Sequence, residues 1–266
     1  MPQNTNLNVS PYFDDFVDSK NYHKVLFKPG FPVQARELTT LQSILQNQVE
    51  KFGQHFFKEG SMVIPGGTTY DNEYFSVKID PNFLNIPVSN YTKVLVDNAI
   101  RIKGETSGVE ALVINRITSS ESIDGFDTLY VRYTGSGSDG ETSTFLDGEN
   151  LITLSNINYL NTSIAADSQF ARCATSDATS VGSAFSVSEG VYFIRGFFVK
   201  NVTSTIILDQ YTNTPSYRVG FLLKEETVGP SSVNSDLYDN AKGFSNEAAP
   251  GADRFRLSTS LHKKLL

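Results

Sequence analysis

The chain has 266 residues, enough for one large or two modest domains with hydrophobic cores. Its formal net charge is -7, and its longest cationic run is the pair Lys263 and Lys264, which argues against binding of duplex nucleic acid. The single cysteine, Cys173, excludes an intrachain disulfide, and no apolar run approaches the roughly 20 residues that cross a bilayer. We therefore expect neither a nucleic-acid partner nor membrane insertion.

Residues 1–30 are polar and show little periodicity, yet they contain several aromatic side chains. An arm of this composition does not form a core of its own, so its aromatic residues are expected to bind a surface elsewhere. That surface belongs either to the rest of the chain or to a neighbouring subunit. The predicted element is an extended N-terminal arm with contact residues Tyr12, Phe13 and Phe16.

Residues 31–59 carry the only long helical pattern in the sequence, and we predict an amphipathic helix there. A turn at Pro29 and Gly30 precedes it, and Gly60 is placed to end it. The other exposed positions are mostly Gln and Asn, which tolerate a second polar contact. Two interpretations stay open, a helix that covers a sheet and a helix that docks on other subunits. The apolar residues recur every three or four positions and form one stripe: Leu38, Leu41, Leu45, Val49, Phe52 and Phe56.

From Ser61 onward apolar residues alternate with polar ones, and turn residues separate the runs. This pattern is typical of sandwiches and barrels. The predicted fold class is therefore mainly β with one long N-terminal α-helix. The predicted strands are Met62–Ile64, Tyr74–Ile79, Lys93–Val96, Ala99–Lys103, Val109–Arg116, Thr128–Tyr133, Leu151–Leu154, Val191–Lys200, Ser204–Leu208, Tyr217–Lys224 and Phe255–Leu261.

The strands group into two predicted modules. Residues 60–90 and 181–266 are assigned to a β-sandwich-like domain. Residues 91–160, with glycines at their corners, are assigned to an inserted small β-barrel-like domain, and the Ser/Thr/Ala-rich residues 161–180 to a linker. Residues 231–253 read as a long polar loop. The strand after it has no successor, so we expect it to pair with another chain or to precede further sequence.

No arrangement of residues indicates catalysis, a cofactor or a metal site. The three histidines, His23, His55 and His262, are far apart and have no partner at ligand spacing, and there is no G-x-S-x-G sequence. The best calcium candidate is the acidic stretch at residues 135–150, but it lacks the alternating order of an EF-hand, and a solvated hairpin loop is the better interpretation. Its four carboxylates belong to Asp139, Glu141, Asp147 and Glu149. We therefore predict that the protein is not an enzyme.

Two segments resemble a known group of proteins. The first runs from NVSPYFDDF through NYHKVLFKPGFPVQARELTTLQSILQNQVEKFGQHFFKEGSMVIPG, and the second is VYFIRGFFVKNVTSTIILDQYTNTPSYRVGFLLKEETV with the later AAPGADRFRLSTSL. Together they cover residues 8–67 and 187–261. They look like the N-terminal region of large structural proteins from contractile-tailed bacteriophages, especially those of cyanobacteria. Such proteins are usually described as tail-fibre, baseplate or virion structural proteins, and no catalytic residue accompanies the resemblance.

The resemblance implies a virion component, partners among other tail or baseplate proteins, and a homotrimer. Its arm and helix would anchor a tail fibre or baseplate arm while the β-domains project. The alternative is a module that binds a host glycan through a β-tip such as residues 135–148. Exposed aromatic rings are expected in a sugar-binding tip, and this one offers only Phe145.

Overall fold

A computed structural model describes residues 4–229 and 251–266. These residues form a mainly β protein with two α-helices, α1 (Ala35–Phe56) and α2 (Ser89–Asp97). Within the described residues neither helix is long and apolar enough to span a membrane. The strands in chain order are β1 (Met62–Ile64), β2 (Thr68–Ile79), β3 (Asn82–Phe83), β4 (Ile86–Pro87), β5 (Arg101–Gly104), β6 (Glu110–Ile117), β7 (Asp127–Gly135), β8 (Asn150–Thr153), β9 (Ile157–Tyr159), β10 (Thr162–Ile164), β11 (Ser168–Arg172), β12 (Thr179–Val187), β13 (Gly190–Ile194), β14 (Phe197–Asn201), β15 (Ser204–Asp209), β16 (Tyr217–Val228) and β17 (Arg254–Leu265).

The chain divides into two compact units. The first contains described residues from 4–68, 186–204 and 219–262, and the second contains 69–185, 205–218 and 263–266. The first unit holds α1, a three-stranded sheet in the order β1-β13-β14, and most of the β16-β17 ribbon. Its small apolar cluster centres on Tyr192, Ile194 and Val199, with side chains from β16 and β17 packed against them.

The predicted strand Val191–Lys200 is wrong in one respect, because the structure has a hairpin there. Strands β13 and β14 pair antiparallel, and Ile194 lies opposite Phe197. Arg195 and Gly196 make the turn with φ of 51° and 82°. The turn is hidden in the sequence because an apolar run continues on both sides of it.

The second unit is built on an eight-stranded sheet in the order β11-β8-β5-β6-β7-β2-β12-β15. Along its central strands every second side chain points into one large core, and side chains of α2 pack into the same core. On the other face Tyr74 and Tyr130 stack with their ring centroids 4.8 Å apart. The largest fully buried side chains of the unit are Tyr91, Tyr130, Phe170, Ile79, Leu95, Ile102, Leu129, Leu151, Ile157, Val77 and Val88.

Helix α2 replaces the predicted strand Lys93–Val96, which is a correction. Val88, Tyr91 and Leu95 are fully buried and lie on one side of this helix. The short apolar run around Val94 fits either a strand or one helical turn, so periodicity alone could not decide. Burial of three side chains spaced three and four residues apart favours the helix.

Residues 161–180, predicted to be a linker, instead contain β10, β11 and the start of β12. Phe170, Ala171, Cys173 and Ala178 are fully buried in the core of the second unit. Small residues are favoured here because the chain passes close to neighbouring strands; the amide of Ala174, for example, donates to the carbonyl of Lys78 at 3.0 Å. The Ser/Thr/Ala-rich composition of residues 161–180 therefore reflects close packing of this segment against neighbouring strands, and the segment is not a linker.

The last strand is not left for another chain, because β17 pairs with β16 in the same chain. Most of the predicted polar loop at 231–253 lies outside the described residues. The predicted module bounds stay a prediction. In the observed sheet, β2 and β7, which were assigned to different modules, are hydrogen-bonded neighbours, with Phe75 opposite Val131.

Candidate docking surface

Helix α1 begins and ends where its local sequence favours it. The Glu37 carboxylate accepts a hydrogen bond from the backbone N–H of Gln34 at 3.0 Å, which satisfies a donor at the helix start. At the other end the Phe57 N–H donates to the Gly53 carbonyl at 2.8 Å. The helix is 22 residues long, which corresponds to about 33 Å.

The side of α1 that faces its own chain is mainly polar or small. Its buried residues are Ile44, Glu50 and Gly53. The Gln46 Nε2 donates to the carbonyl of Gly196 at 2.7 Å. Gly53 lies against the ring of Phe193, where an added Cβ would stand 2.7 Å from Cζ. Burial raises the pKa of the Glu50 carboxyl, which also accepts a hydrogen bond from Gln54.

The N-terminal arm covers another polar part of the same helix. Asp14 is buried and accepts a hydrogen bond from Ser43, and Asp15 accepts one from Thr40 at 3.1 Å. The Lys51 ammonium lies 2.6 Å from a carboxylate oxygen of Asp18. Hydrogen bonds from Lys51 and Asn47 lower the pKa of the Asp18 carboxyl. The first part of the arm therefore lies on its own chain, which was one of the two surfaces expected for it.

The start of the arm is fixed by Glu225 of β16. This carboxylate accepts hydrogen bonds from the backbone amides of Asn4 and Thr5, both at 2.9 Å, and it pairs with Arg195. Partial burial opposes ionisation of Glu225, but these hydrogen bonds outweigh it and lower the pKa. The contacts place residues 4–18 on the first unit by charge and hydrogen bonding rather than by apolar packing.

The predicted stripe points away from these contacts. Five of its six side chains are exposed, and Leu41 is half-buried. At 100° per residue all six fall within a sector of about 80°, on the side opposite Glu50 and Ser43. The rings of Phe52 and Phe56 lie 4.9 Å apart and form one surface. The exposed fractions are 50% for Leu38, 58% for Leu45, 42% for Val49, 64% for Phe52 and 63% for Phe56.

We call the six residues Leu38, Leu41, Leu45, Val49, Phe52 and Phe56 the apolar stripe. An ordinary surface helix turns such a stripe toward its own core. Here the helix keeps its polar side on the chain and leaves the apolar stripe open. The apolar stripe extends for about 27 Å along the helix, and exposed apolar surface of this kind is typical of a protein interaction site.

The three arm residues predicted for docking do not share one environment. Tyr12 is half-buried; its hydroxyl donates to Asp253, and this hydrogen bond raises the tyrosine pKa to about 12. Phe13 is 47% exposed, and Phe16 is half-buried. Of these three arm residues, only Phe13 therefore leaves a large apolar area exposed, as the residues of the apolar stripe do.

Sequence reasoning missed further exposed apolar residues at the end of the arm and just before α1. Leu26 is 79% exposed, Phe31 71% and Val33 54%. A short extended segment has no helical or strand period against which a buried or exposed face could be predicted.

The acidic loop does not gather its carboxylates. Asp139 accepts a hydrogen bond from Thr142 and backbone amides of its own turn, which lower its pKa to about 2. Asp147 accepts from the amide of Ala178 at 2.9 Å. Glu149 is buried and accepts from the amides of Ser107 and two further residues. In the described part of the chain no three His, Cys, Asp or Glu residues come together as metal ligands would.

The tip considered for glycan binding lacks an available ring. Phe145 is only 2% exposed and packs against Tyr133, with the ring centroids 5.4 Å apart. It belongs to the core of the second unit. A sugar ring therefore has no aromatic platform at residues 135–148.

Comparison with known proteins gives one similarity. The family described as "Domain of unknown function (DUF4815)" matches residues 10–121, which is less than half of the chain. The matched range includes α1 and the apolar stripe. No curated protein and no solved structure matches the chain.

Proposed function

We propose that this protein is a structural assembly component that docks on another protein chain through the apolar stripe of α1. The observation that carries the proposal is the orientation of the helix. Its polar side is satisfied by the arm and by Gly196, while Leu45, Phe52 and Phe56 stay open. Burying such side chains on a partner contributes roughly 1 kcal/mol for each half-exposed residue.

The spacing of the apolar stripe supports a helical partner. The intervals of 3, 4, 4, 3 and 4 residues repeat after eleven residues, so that Leu38, Leu41 and Leu45 correspond to Val49, Phe52 and Phe56. An eleven-residue repeat has about 3.67 residues per turn, close to that of a straight helix. The stripe therefore runs nearly parallel to the helix axis, and a second helix can follow it without tight supercoiling.

The setting that we propose is the tail of a contractile-tailed bacteriophage. It is supported by the resemblance of residues 8–67 and 187–261 to structural proteins of such tails. In this proposal the arm and helix anchor a tail fibre or baseplate arm, three copies associate, and the β part projects as a sandwich-like domain with an inserted barrel-like module. The chain itself carries out no catalysis and needs no cofactor.

The test is the double variant Leu45→Asp with Phe52→Asp. Two carboxylates on a buried apolar surface should weaken association at least a hundredfold, because each lost contact is joined by the cost of desolvating a charge. The isolated chain should keep its stability within about 0.5 kcal/mol, since both positions are exposed. The readouts are mass by light scattering and the amount of the protein in purified particles.

Ile123→Asp is the matched control. Ile123 is 78% exposed and lies in a loop of the second unit, so the same change there adds a charge without touching the stripe. The control should assemble like the parent. If the stripe variant kept the parent's mass and its incorporation into particles, docking through α1 would be wrong.

A further inference from the structure

The N-terminal arm is held on its own chain by polar contacts at several separate points. Glu225 accepts hydrogen bonds from the start of the arm, and Asp253 accepts one from Tyr12. Asp14 and Asp18 accept hydrogen bonds from side chains of α1. Within the described residues, no side chain of the arm belongs to a buried apolar cluster. The arm can therefore leave this surface and return to it without opening a core.

The contacts give the arm a direction along α1. Asp15 accepts a hydrogen bond from Thr40 at 3.1 Å, and Asp18, three residues later, accepts one from Asn47 at 2.9 Å. The arm therefore runs parallel to α1, from its second turn to its middle. Residues 22–33, which we call the linker, bring the chain back from the middle of α1 to its beginning.

The linker is longer than this return requires. The axial distance from Asn47 to the start of α1 is about 20 Å, because each helical residue rises 1.5 Å. The linker, residues 22–33, can span up to about 40 Å when it is fully extended. Packed helices lie about 8–10 Å apart. The spare length therefore suffices to carry the arm across to the same surface on the α1 of a neighbouring copy.

The linker makes little contact with its own chain. In the described structure its only backbone hydrogen bond lies within the linker itself, from the N–H of Phe31 to the carbonyl of Lys28. All of its residues except Val25 are exposed. Five of them carry large apolar side chains, which the isolated chain leaves in water. Their exposed fractions are 62% for Tyr22, 79% for Leu26, 48% for Phe27, 71% for Phe31 and 54% for Val33.

Assembly changes which surface the arm prefers. In an isolated chain the linker holds the arm near its own α1 at an effective concentration on the order of millimolar, so the arm binds there. Once two copies are docked, the same surface of the neighbour is held within comparable reach. A linker that crosses from one copy to the next places its apolar side chains between the copies, which removes them from water. The exposed apolar residues of the linker therefore favour the crossed arrangement in the assembly.

We propose that, in the assembled protein, the arm of each copy leaves its own α1 and binds the same surface on a neighbouring copy. The hydrogen bonds of Asp14, Asp15 and Asp18 are kept, but their donors belong to the next chain. Exchange of an identical element is a low-cost route to an oligomer, because it needs no new binding surface. The exchange rests on the proposed function, since the apolar stripe first brings the copies together, and the exchanged arms then interlock them.

A pair of cysteines across one arm contact tests the exchange. In the double variant Asp14→Cys with Ser43→Cys, the thiols replace two side chains that are hydrogen-bonded to each other, and Cys173 is fully buried. Oxidation of the isolated chain should form an intrachain disulfide, which runs as a monomer on a non-reducing gel. Oxidation of purified particles that contain the variant should link different chains and give at least fivefold more covalent multimer.

The single variants Asp14→Cys and Ser43→Cys are the matched controls and should give no multimers. Only intrachain disulfides in particles would overturn the exchange. So would the absence of any disulfide in the isolated chain, both for this pair and for Asp15→Cys with Thr40→Cys. Docking through the apolar stripe is measured separately with Leu45→Asp and Phe52→Asp. Intrachain disulfides in particles would therefore leave that docking intact.

A shorter linker gives a second measurement. Removal of residues 25–28 from the double-cysteine variant leaves a reach of about 26 Å, which still covers the return to the chain's own α1. The isolated chain should form its intrachain disulfide as before, which shows that the arm and α1 still fold together. Covalent multimers in particles should fall at least fivefold. Unchanged multimer formation would contradict a linker that crosses between copies.

Discussion

The two helices are both amphipathic, but they point their apolar sides in opposite directions relative to their own units. Helix α2 turns Tyr91 and Leu95 into the core of the second unit, where both are almost completely buried. Helix α1 turns its polar side to its own unit and leaves Leu45 and Phe52 more than half exposed. An amphipathic pattern therefore tells which residues share a face, but not whether that face points to the chain's own core or to a partner.

The difference follows from what surrounds each helix. The second unit provides an eight-stranded sheet whose inner face is apolar, so α2 gains by burying apolar residues. Around α1 the chain offers carboxylates of the arm, such as Asp14, and the backbone carbonyl of Gly196. These groups are satisfied by Ser43 and Gln46, which forces the apolar stripe to the outside.

The largest expected effect compares one leucine from each helix. Leu95→Ala should reduce the free energy of unfolding by about 2 to 5 kcal/mol, because it leaves a cavity in a packed core. Leu45→Ala should change it by less than about 0.5 kcal/mol in the unassembled chain, because that side chain is exposed. Urea denaturation at low protein concentration measures both. A loss above 2 kcal/mol for Leu45→Ala would show that α1 is an ordinary core helix.

A smaller effect is expected where α1 meets its hairpin. Gly53→Ala would usually stabilise a helix by up to about 1 kcal/mol. Here the new methyl group would lie within 2.7 Å of the Phe193 ring, which is only 1% exposed. We expect a net loss of about 1 to 3 kcal/mol in thermal denaturation. Gln48→Ala, at an exposed position of the same helix, is the control, and stabilisation by Gly53→Ala would mean that the helix does not pack on β13.

The smallest effect concerns acid stability of the second unit. Partial burial opposes ionisation of Asp124, but hydrogen bonds from Ser122, Lys78 and Tyr211 outweigh it and lower the pKa from 3.8 to about 2. Since the folded-state pKa is depressed, this stabilisation is present above about pH 4 and is lost as pH falls toward 2.

After allowance for partial exposure, the Asp124 contribution is on the order of 1 to 2 kcal/mol. Asp124→Asn should therefore destabilise the protein at pH 6 and show a flatter decline between pH 4 and pH 2. Urea denaturation across that range measures it. An unchanged pH profile would mean that Asp124 does not contribute to acid stability. Glu141→Gln, at an exposed carboxylate of the same unit, is the control.

Much of the fold was predictable where side-chain period and turn chemistry agree. The strand Met62–Ile64 was predicted with its observed bounds, and the members of the apolar stripe follow from spacing alone. Helix α2 was missed because KVLV suits a short strand as well as a helical turn. The strands at 161–180 were missed because Ala171 and Ala178 fill tight space without giving a strong alternating signal.

The docking surface was predictable in composition but not in orientation. The outward direction of the apolar stripe depends on contacts between distant residues, such as Gln46 with Gly196 and Thr40 with Asp15. The left-handed backbone of Leu84 and Leu160, with φ of 50° and 49°, was also not predictable, because leucine rarely adopts that conformation.

The most direct measurement of the central claim is thiol labelling of a Leu45→Cys variant. Cys173 is fully buried, and burial raises its pKa, so the new thiol is the reactive one. Labelling of particles that contain the variant should be at least tenfold slower than labelling of the isolated chain, whereas Ile123→Cys should react equally in both. Equal labelling of Leu45→Cys in particles and in the isolated chain would contradict docking through the apolar stripe.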